Sequence, residues 1–324
     1  MRAPWTDRQA HRRLGAVACL VLVLIVAMVA FVAVRAWPTL AHNGGVAWLG
    51  PGGSTDHQLG GMISTGRHAP AAAYHLRAWP LVYGTLLCAG LAVAIGLAFA
   101  LLCAIFIVEF APRRLRAMTI PLVRLLAAVP SVVFGLIGVL VLVPFVGNHI
   151  VSAHQKSSVQ YVVELTGSSV LVAVLVLTVM VTPIMIAMIV DALRAVPASW
   201  TEGAAALGAN RWEVIWGVSV RAARPAIVAA AVLACARALG EAVMIAMVAG
   251  GRAWAPNLLD GATAIFEPVN TLAASIVGQS EAITAPAVRS TLYAFALLLL
   301  FSSLVLSVGG YLAKLPMRRQ GIRV

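Results

Sequence analysis

The chain has 324 residues, of which 61% are hydrophobic and only 10% charged. Soluble domains carry about 25% charged residues, so this composition argues against a water-soluble globular fold. The net charge of +12 would suit a nucleic-acid binder, but the basic residues lie between apolar runs instead of clustering with aromatics on one polar face.

Six apolar runs follow one another: Leu14–Val34, Leu81–Val108, Ile120–Val146, Val170–Val190, Ile227–Val248 and Thr291–Tyr311. Each supplies the roughly 20 residues that cross a hydrocarbon core. Backbone groups in lipid must pair within their own segment, and the short alternating segments of a barrel are absent. The predicted fold class is therefore all-α, a polytopic membrane protein with six transmembrane helices. Leu14–Val34 is longer than the roughly 7–15 apolar residues of a signal peptide, which predicts an uncleaved first span.

The predicted organisation is a cytoplasmic N-terminus with the first span (1–36), an extracytoplasmic loop (37–79), a core of five spans (80–314) with a cytoplasmic loop at 191–224, and a cytoplasmic tail (315–324). Trp37–Trp79 is rich in Gly, Pro, His and Ser and reads as a small external cap. Its His42, His57, His68 and His75 have no metal-ligand spacing. Cys19, Cys88, Cys103 and Cys235 all lie inside spans and read as small apolar fillers. No metal and no cofactor are expected. Gly147–Ser168 and Gly250–Ser290 are two further outside loops. In the last, Thr271–Gly278 reads as a short helix that either packs on the bundle or dips into it.

Within the spans a few residues carry chemistry. Arg237 and Glu241 fall in the fifth run, four apart and so on one helix face. A charge at a span centre costs about 2.5–3.5 kcal/mol to insert, so both should face the bundle interior. They form either an ion pair that fixes packing or part of a substrate pathway, in which the guanidinium offers a bidentate fork to an oxyanion. In the third run Pro130 predicts a kink, and Ser131 offers a hydroxyl to an anion. The competing reading is a kink for packing alone, with Gly135 and Gly138 allowing close approach. Pro183 carries the same kink reading in the fourth run. Arg124 is expected to snorkel to the cytoplasmic interface.

Between the fourth and fifth runs, Val196–Pro225 reads as two short helices, Pro197–Leu207 and Arg211–Val220, separated by Gly208. Gly208 suits a left-handed helix end, and Asn210 with Glu213 suits a capping box. Trp212, Ile215, Trp216 and Val220 give the second helix an apolar face. No G-x-x-x-x-G-K-[ST] stretch occurs, so this chain has no P-loop for ATP, and no catalytic constellation stands out.

Glu202-Gly203-Ala204 followed by Gly208 resembles the EAA loop of ABC-transporter permeases, with Gly203 at the second position and Arg221 in place of the family proline. Two further segments narrow the resemblance. One is Glu109-Phe110-Ala111-Pro112 with Leu126-Ala127-Ala128-Val129-Pro130-Ser131-Val132-Val133-Phe134-Gly135; the other is Arg237-Ala238-Leu239-Gly240-Glu241-Ala242. In this order they resemble PstC-type permease subunits of phosphate-specific ABC importers, from about Leu81 onward and without Trp37–Trp79. The resemblance implies a MetI-like, type I permease fold and import of inorganic phosphate by ATP-driven alternating access. It implies as partners a second, PstA-type permease, two PstB-type ATPase subunits and a PstS-type phosphate-binding protein. Glu202, Ala204 and Gly208 would contact the ATPase, and Arg237, Glu241 and Ser131 would line the pathway. Two alternatives remain: a permease for another oxyanion such as sulfate, molybdate or phosphonate, and an ion-coupled secondary transporter or channel. The second predicts inverted repeats, which the sequence lacks.

If the spans alternate, Arg2, Arg8, Arg12 and Arg13, Arg113, Arg114 and Arg116, Arg194, Arg211, Arg221 and Arg224, and Lys314, Arg318, Arg319 and Arg323 share one side. The other side holds Arg67, Arg77, Lys156, Arg252 and Arg289. This bias predicts cytoplasmic termini in a bacterial inner membrane. An impermeant thiol reagent added to intact cells should therefore label Ser54→Cys and spare Ser199→Cys; the reverse pattern would invert the topology.

Overall fold

The computed structural model describes residues 7–319 apart from 46, 53, 67–69, 160–163, 254 and 257. Arg67 and His68 thus lie outside the described residues. Six helices are long and apolar enough to cross a membrane: His11–His42, Trp79–Phe110, Ser131–Ile150, Val170–Arg194, Arg211–Leu239 and Pro286–Leu312, here spans one to six. Among the described residues the β pairing is a single isolated bridge between Gly250 and Val269.

Two expected spans differ from what is found. Ile120–Val146 is not one kinked helix. Arg113–Ala127 ends, and span three begins afresh at Ser131 behind Pro130. The reason is local: proline lacks an N–H and drives the residue before it out of the helical region. The N–H groups of Ala128 and Val129 close the first helix on the carbonyls of Leu125 and Leu126 at 3.0 and 3.3 Å. Arg124, on that helix, meets Asp191 at 3.6 Å with both side chains more than half exposed.

The fifth run, Ile227–Val248, is also broken. Span five stops at Leu239, and a separate helix covers Val243–Val248. Arg237 and Glu241 therefore do not share one continuous helix face. At its other end, Arg211–Val220 is not a separate short helix. It passes through a π-helical turn, Ile215–Ser219, directly into span five.

Spans two, four and five form the centre. Ala89, Ala92, Gly96, Ala100 and Ala104 recur about every four residues along span two and are buried. Such a stripe lets helix backbones approach without an apolar driving force from lipid. At Gly96 an added Cβ would lie 2.8 Å from Met185 Cε and 2.9 Å from Thr182 Oγ1, on span four. Gly135 and Gly138 have the packing role foreseen for them: a Cβ there would meet Met244 Cα at 3.1 Å and Val248 Cγ1 at 2.6 Å.

The polar segment 37–79 is folded, not a bare loop. Span one runs on to His42, and Thr55–Ser64 is helical. Trp48, Leu59, Met62 and Leu76 join Leu292 and Phe295 of span six in a second apolar cluster. Trp48 stacks on Phe295 with ring centroids 6.0 Å apart. Asn43 ties the segment together by accepting from the N–H of Leu76 at 2.9 Å and donating to the Tyr74 carbonyl at 2.6 Å.

Backbone bonds gather the ends of the bundle opposite the loop after span four. Ser169 N–H donates to the Val248 carbonyl at 3.2 Å, Val170 N–H to Glu267 at 3.0 Å and Val269 N–H to Ala249 at 2.8 Å. The predicted short helix is present as Leu272–Gly278, and it packs against spans two and six. Thr85 of span two accepts from its Leu272 N–H at 3.0 Å. At the residue just before Thr85, a Cβ on Gly84 would lie 2.3 Å from the Asn270 carbonyl oxygen. Gly84→Ala should cost about 1–3 kcal/mol by overpacking against backbone, whereas Gly90→Ala, which would meet nothing within 4 Å, should be neutral. Thermal unfolding in detergent measures both, and equal melting temperatures would contradict the close approach.

Candidate functional site

The loop after span four is built from local signals. Pro197 precedes the helix Ala198–Ala206. Gly208 takes φ +90, a left-handed conformation that side chains with a Cβ adopt at a cost. Gly208 N–H donates to Ala205 at 3.0 Å and Ala209 N–H to Ala204 at 3.2 Å. These two bonds form a Schellman motif, which satisfies carbonyls that the helix end would leave open. Asn210 and Glu213 then make the expected capping box: Glu213 N–H donates to Asn210 Oδ1 at 3.0 Å, and Asn210 N–H to Glu213 Oε2 at 2.7 Å. Glu202 and Gly208 are exposed, and Ala204 is half-buried. Leu207 is 92% exposed, with Trp200, Trp212 and Trp216 also exposed. A turn this well capped does not hold four large apolar side chains outward for its own stability. The chemistry fits a partner surface.

Sequence reasoning missed where this loop is anchored. Span two ends in a π-helical turn, Phe106–Phe110, whose last carbonyls have no partner within the helix. Arg116 donates to the Ile107 carbonyl at 2.9 Å and also to that of Val108. Arg211 donates to the Glu109 carbonyl, and its guanidinium carbon lies 4.2 Å from the Phe110 ring centroid. Phe110 in turn meets Trp212 at 5.7 Å. Positive charge at a helix C-terminus is also favoured by the backbone dipoles. The available signal was Glu109-Phe110-Ala111-Pro112, a helix end followed by arginines.

The candidate pathway residues lie around the break in span five. Leu233, Arg237 and Gly240 share an exposed face. Among the described residues the ion pair present is Arg124 with Asp191, and none joins Arg237 to Glu241. The Glu241 carboxylate instead accepts from the Met244 N–H at 3.4 Å, at the start of the next helix. Span three packs on that helix through Gly135 at Met244 and Gly138 at Val248. Ser131 opens span three, one turn before Gly135. Arg237 and Glu241 thus flank the break in span five, and Ser131 starts the span that packs on the helix after the break.

The family description of binding-protein-dependent transport system inner membrane components matches residues 96–315. The chain belongs to this family. The phosphate transport system permease protein PstC 1 of Mycobacterium tuberculosis is 37% identical over 228 residues, 68% of this chain. The match spans 65% of that protein's length, just under two thirds. The probable phosphate transport system permease protein PstC of Methanocaldococcus jannaschii is 32% identical over 234 residues, 71% of this chain and 72% of that one. A solved bacterial ABC transporter involved in the import of the acidic polysaccharide alginate aligns at 15% identity and a TM-score of 0.46, over 82% of this chain and 89% of that one. With six apolar spans, this family member is a multi-pass membrane protein.

In Gly208→Val the loop turn should be destabilised by about 1–2 kcal/mol, the cost of a left-handed residue with a side chain. Limited proteolysis within 206–211 should accelerate while the bundle melts as before. Gly203→Ala, with nothing within 4 Å of its Cβ, should leave the cleavage rate unchanged. Equal cleavage of all three proteins would remove the structural role given to Gly208.

Proposed function

We propose that this chain is the permease subunit of an ABC importer for inorganic phosphate. The observation that carries the reading is the resemblance to PstC permeases at 37% and 32% identity, together with a family match over 96–315 that includes the loop and the break. The chain would work with a second permease, two copies of an ATPase and an extracytoplasmic phosphate-binding protein. Both termini and the loop lie in the cytoplasm. ATP binding and hydrolysis belong to the separate ATPase, because this sequence has no P-loop.

The geometry suits the task. The ATPase engages the Glu202–Gly208 surface. Arg211 begins a helix that continues without a break to Leu239, so movement of the loop swings the end that carries Arg237. Arg237 presents a planar fork at the break in span five, and among the described residues no carboxylate forms an ion pair with it. A guanidinium in that setting suits a tetrahedral oxyanion, whose oxygens it can bind in pairs. The Ser131 hydroxyl stands at the start of span three, which packs on Val243–Val248 through Gly135 and Gly138. Glu241 caps that helix and stands where it repels an anion that has moved past Arg237.

Arg237→Gln should reduce phosphate uptake to background, about 100-fold or more for loss of a charge-assisted pair worth roughly 3 kcal/mol. Arg237→Lys should retain part of it. The double variant Arg237→Gln with Glu241→Gln carries no lone charge and should insert and assemble with the ATPase, yet not transport. Uptake by the double variant near the native rate, at matched membrane levels, would show that Arg237 does not bind substrate. Inhibition of uptake by excess sulfate as strong as by phosphate would move the reading to another oxyanion.

A further inference from the structure

We propose that Arg211 is a positioning residue that carries the movement of the cytoplasmic loop into span two, and that span two relays it as a rod to the outer loop at Val269–Leu272. The proposal deepens the reading of the loop as the ATPase contact and rests on it.

The inner end of the rod is the clamp on the π turn. Arg211 stands at the first position of the helix that follows the capping box. It holds span two in two ways at once, through the Glu109 carbonyl and over the Phe110 ring. The hydrogen bond fixes its position along the span, and the ring contact fixes its direction. Arg116, from the neighbouring helix, takes the two preceding carbonyls. The end of span two is therefore held by two separate elements, one of which is the loop itself.

The outer end of the rod is equally specific. Gly84 lets the Asn270 carbonyl press against the span, and the Thr85 hydroxyl holds the Leu272 N–H. From Thr85 to Glu109 is about 36 Å of helix at 1.5 Å per residue. Span two has no proline between Leu81 and Ala111. Its departure from α-helix is confined to the π turn at the inner end.

Other elements joined to the loop differ from span two. Span five breaks at Gly240–Ala242, and the Arg113–Ala127 helix is separated from span three at Pro130. Span four is a single helix but carries Pro183 in its middle. Movement of the loop thus has two outputs. Span five delivers it to the level of Arg237, and span two delivers it to the outer side.

The test uses the assembled transporter, with the native cysteines replaced and Arg252→Cys as reporter in the exposed outer loop. The rate of labelling by an impermeant maleimide is measured without nucleotide and with a non-hydrolysable ATP analogue. The parent protein should show a nucleotide-dependent change in rate. Arg211→Gln should lose about tenfold of that change, an ordinary coupling free energy, while the ATPase still co-purifies and the melting temperature stays the same. Arg211→Lys keeps charge and a donor but not the planar contact, and should be intermediate. Thr85→Val breaks the other end of the rod far from the loop. It should give the same loss, and it decides the matter if Arg211→Gln fails to assemble. A full nucleotide response in Thr85→Val and in any assembled Arg211→Gln would overturn the proposal while leaving the transport reading intact. No response in the parent would overturn the loop's role as ATPase contact, and the relay with it.

Discussion

Inside a bilayer, a backbone N–H or carbonyl that leaves its helix finds no water to pair with. This chain interrupts or loosens its spans at several places, and its architecture follows from how the freed groups are satisfied. Arg116 and Arg211 take the last carbonyls of span two. The outer ends of span four and of the Val243–Val248 helix are joined backbone to backbone, through Val248 to Ser169 and Glu267 to Val170. The start of the Leu272–Gly278 helix is held by Thr85 and by its own Thr271 cap. The bonds of Arg211 to Glu109, Ser169 to Val248, Val170 to Glu267 and Leu272 to Thr85 link elements distant in sequence, so satisfying the backbone also wires the bundle.

The same constraint explains why the candidate site lies where it does. A break in a membrane helix is tolerated only against protein or a polar cavity. The gap at Gly240–Ala242 precedes the Val243–Val248 helix, on which span three packs through Gly135 and Gly138. Under the proposed reading, the Arg237 guanidinium beside this break is the group that stabilises an anion. Function and packing are therefore not rival explanations for the span-three sequence. The glycines pack, and their packing places Ser131.

Local features were legible in the sequence, whereas long-range ones were not. The capping box of Asn210 and Glu213 and the left-handed Gly208 involve residues a few positions apart, and their chemistry is written in adjacent letters. The six apolar runs gave the number of spans, because hydrophobic length is set by the bilayer. Their ends were misread. Gly240–Ala242 sits inside an apolar run, and hydropathy does not mark a backbone break there. The π turn at Ile215–Ser219 has no compositional signature, so Arg211–Val220 looked detached from span five. The Arg211–Glu109 bond joins positions 102 apart, and nothing in either segment names the other. The 37–79 segment looked like a polar loop on average, although Trp48 and Met62 within it are almost fully buried.

What unifies these features is a chain whose loop after span four is fixed to two spans, one ending near an exposed arginine and the other reaching the opposite end of the bundle. The most direct measurement is a structure of the assembled transporter, trapped with nucleotide in the presence of phosphate. The account requires anion density bonded to the Arg237 guanidinium beside the Gly240–Ala242 break, with Ser131 lining the same space. Phosphate bound elsewhere along the path, with Arg237 turned to lipid or paired with a carboxylate, would contradict it.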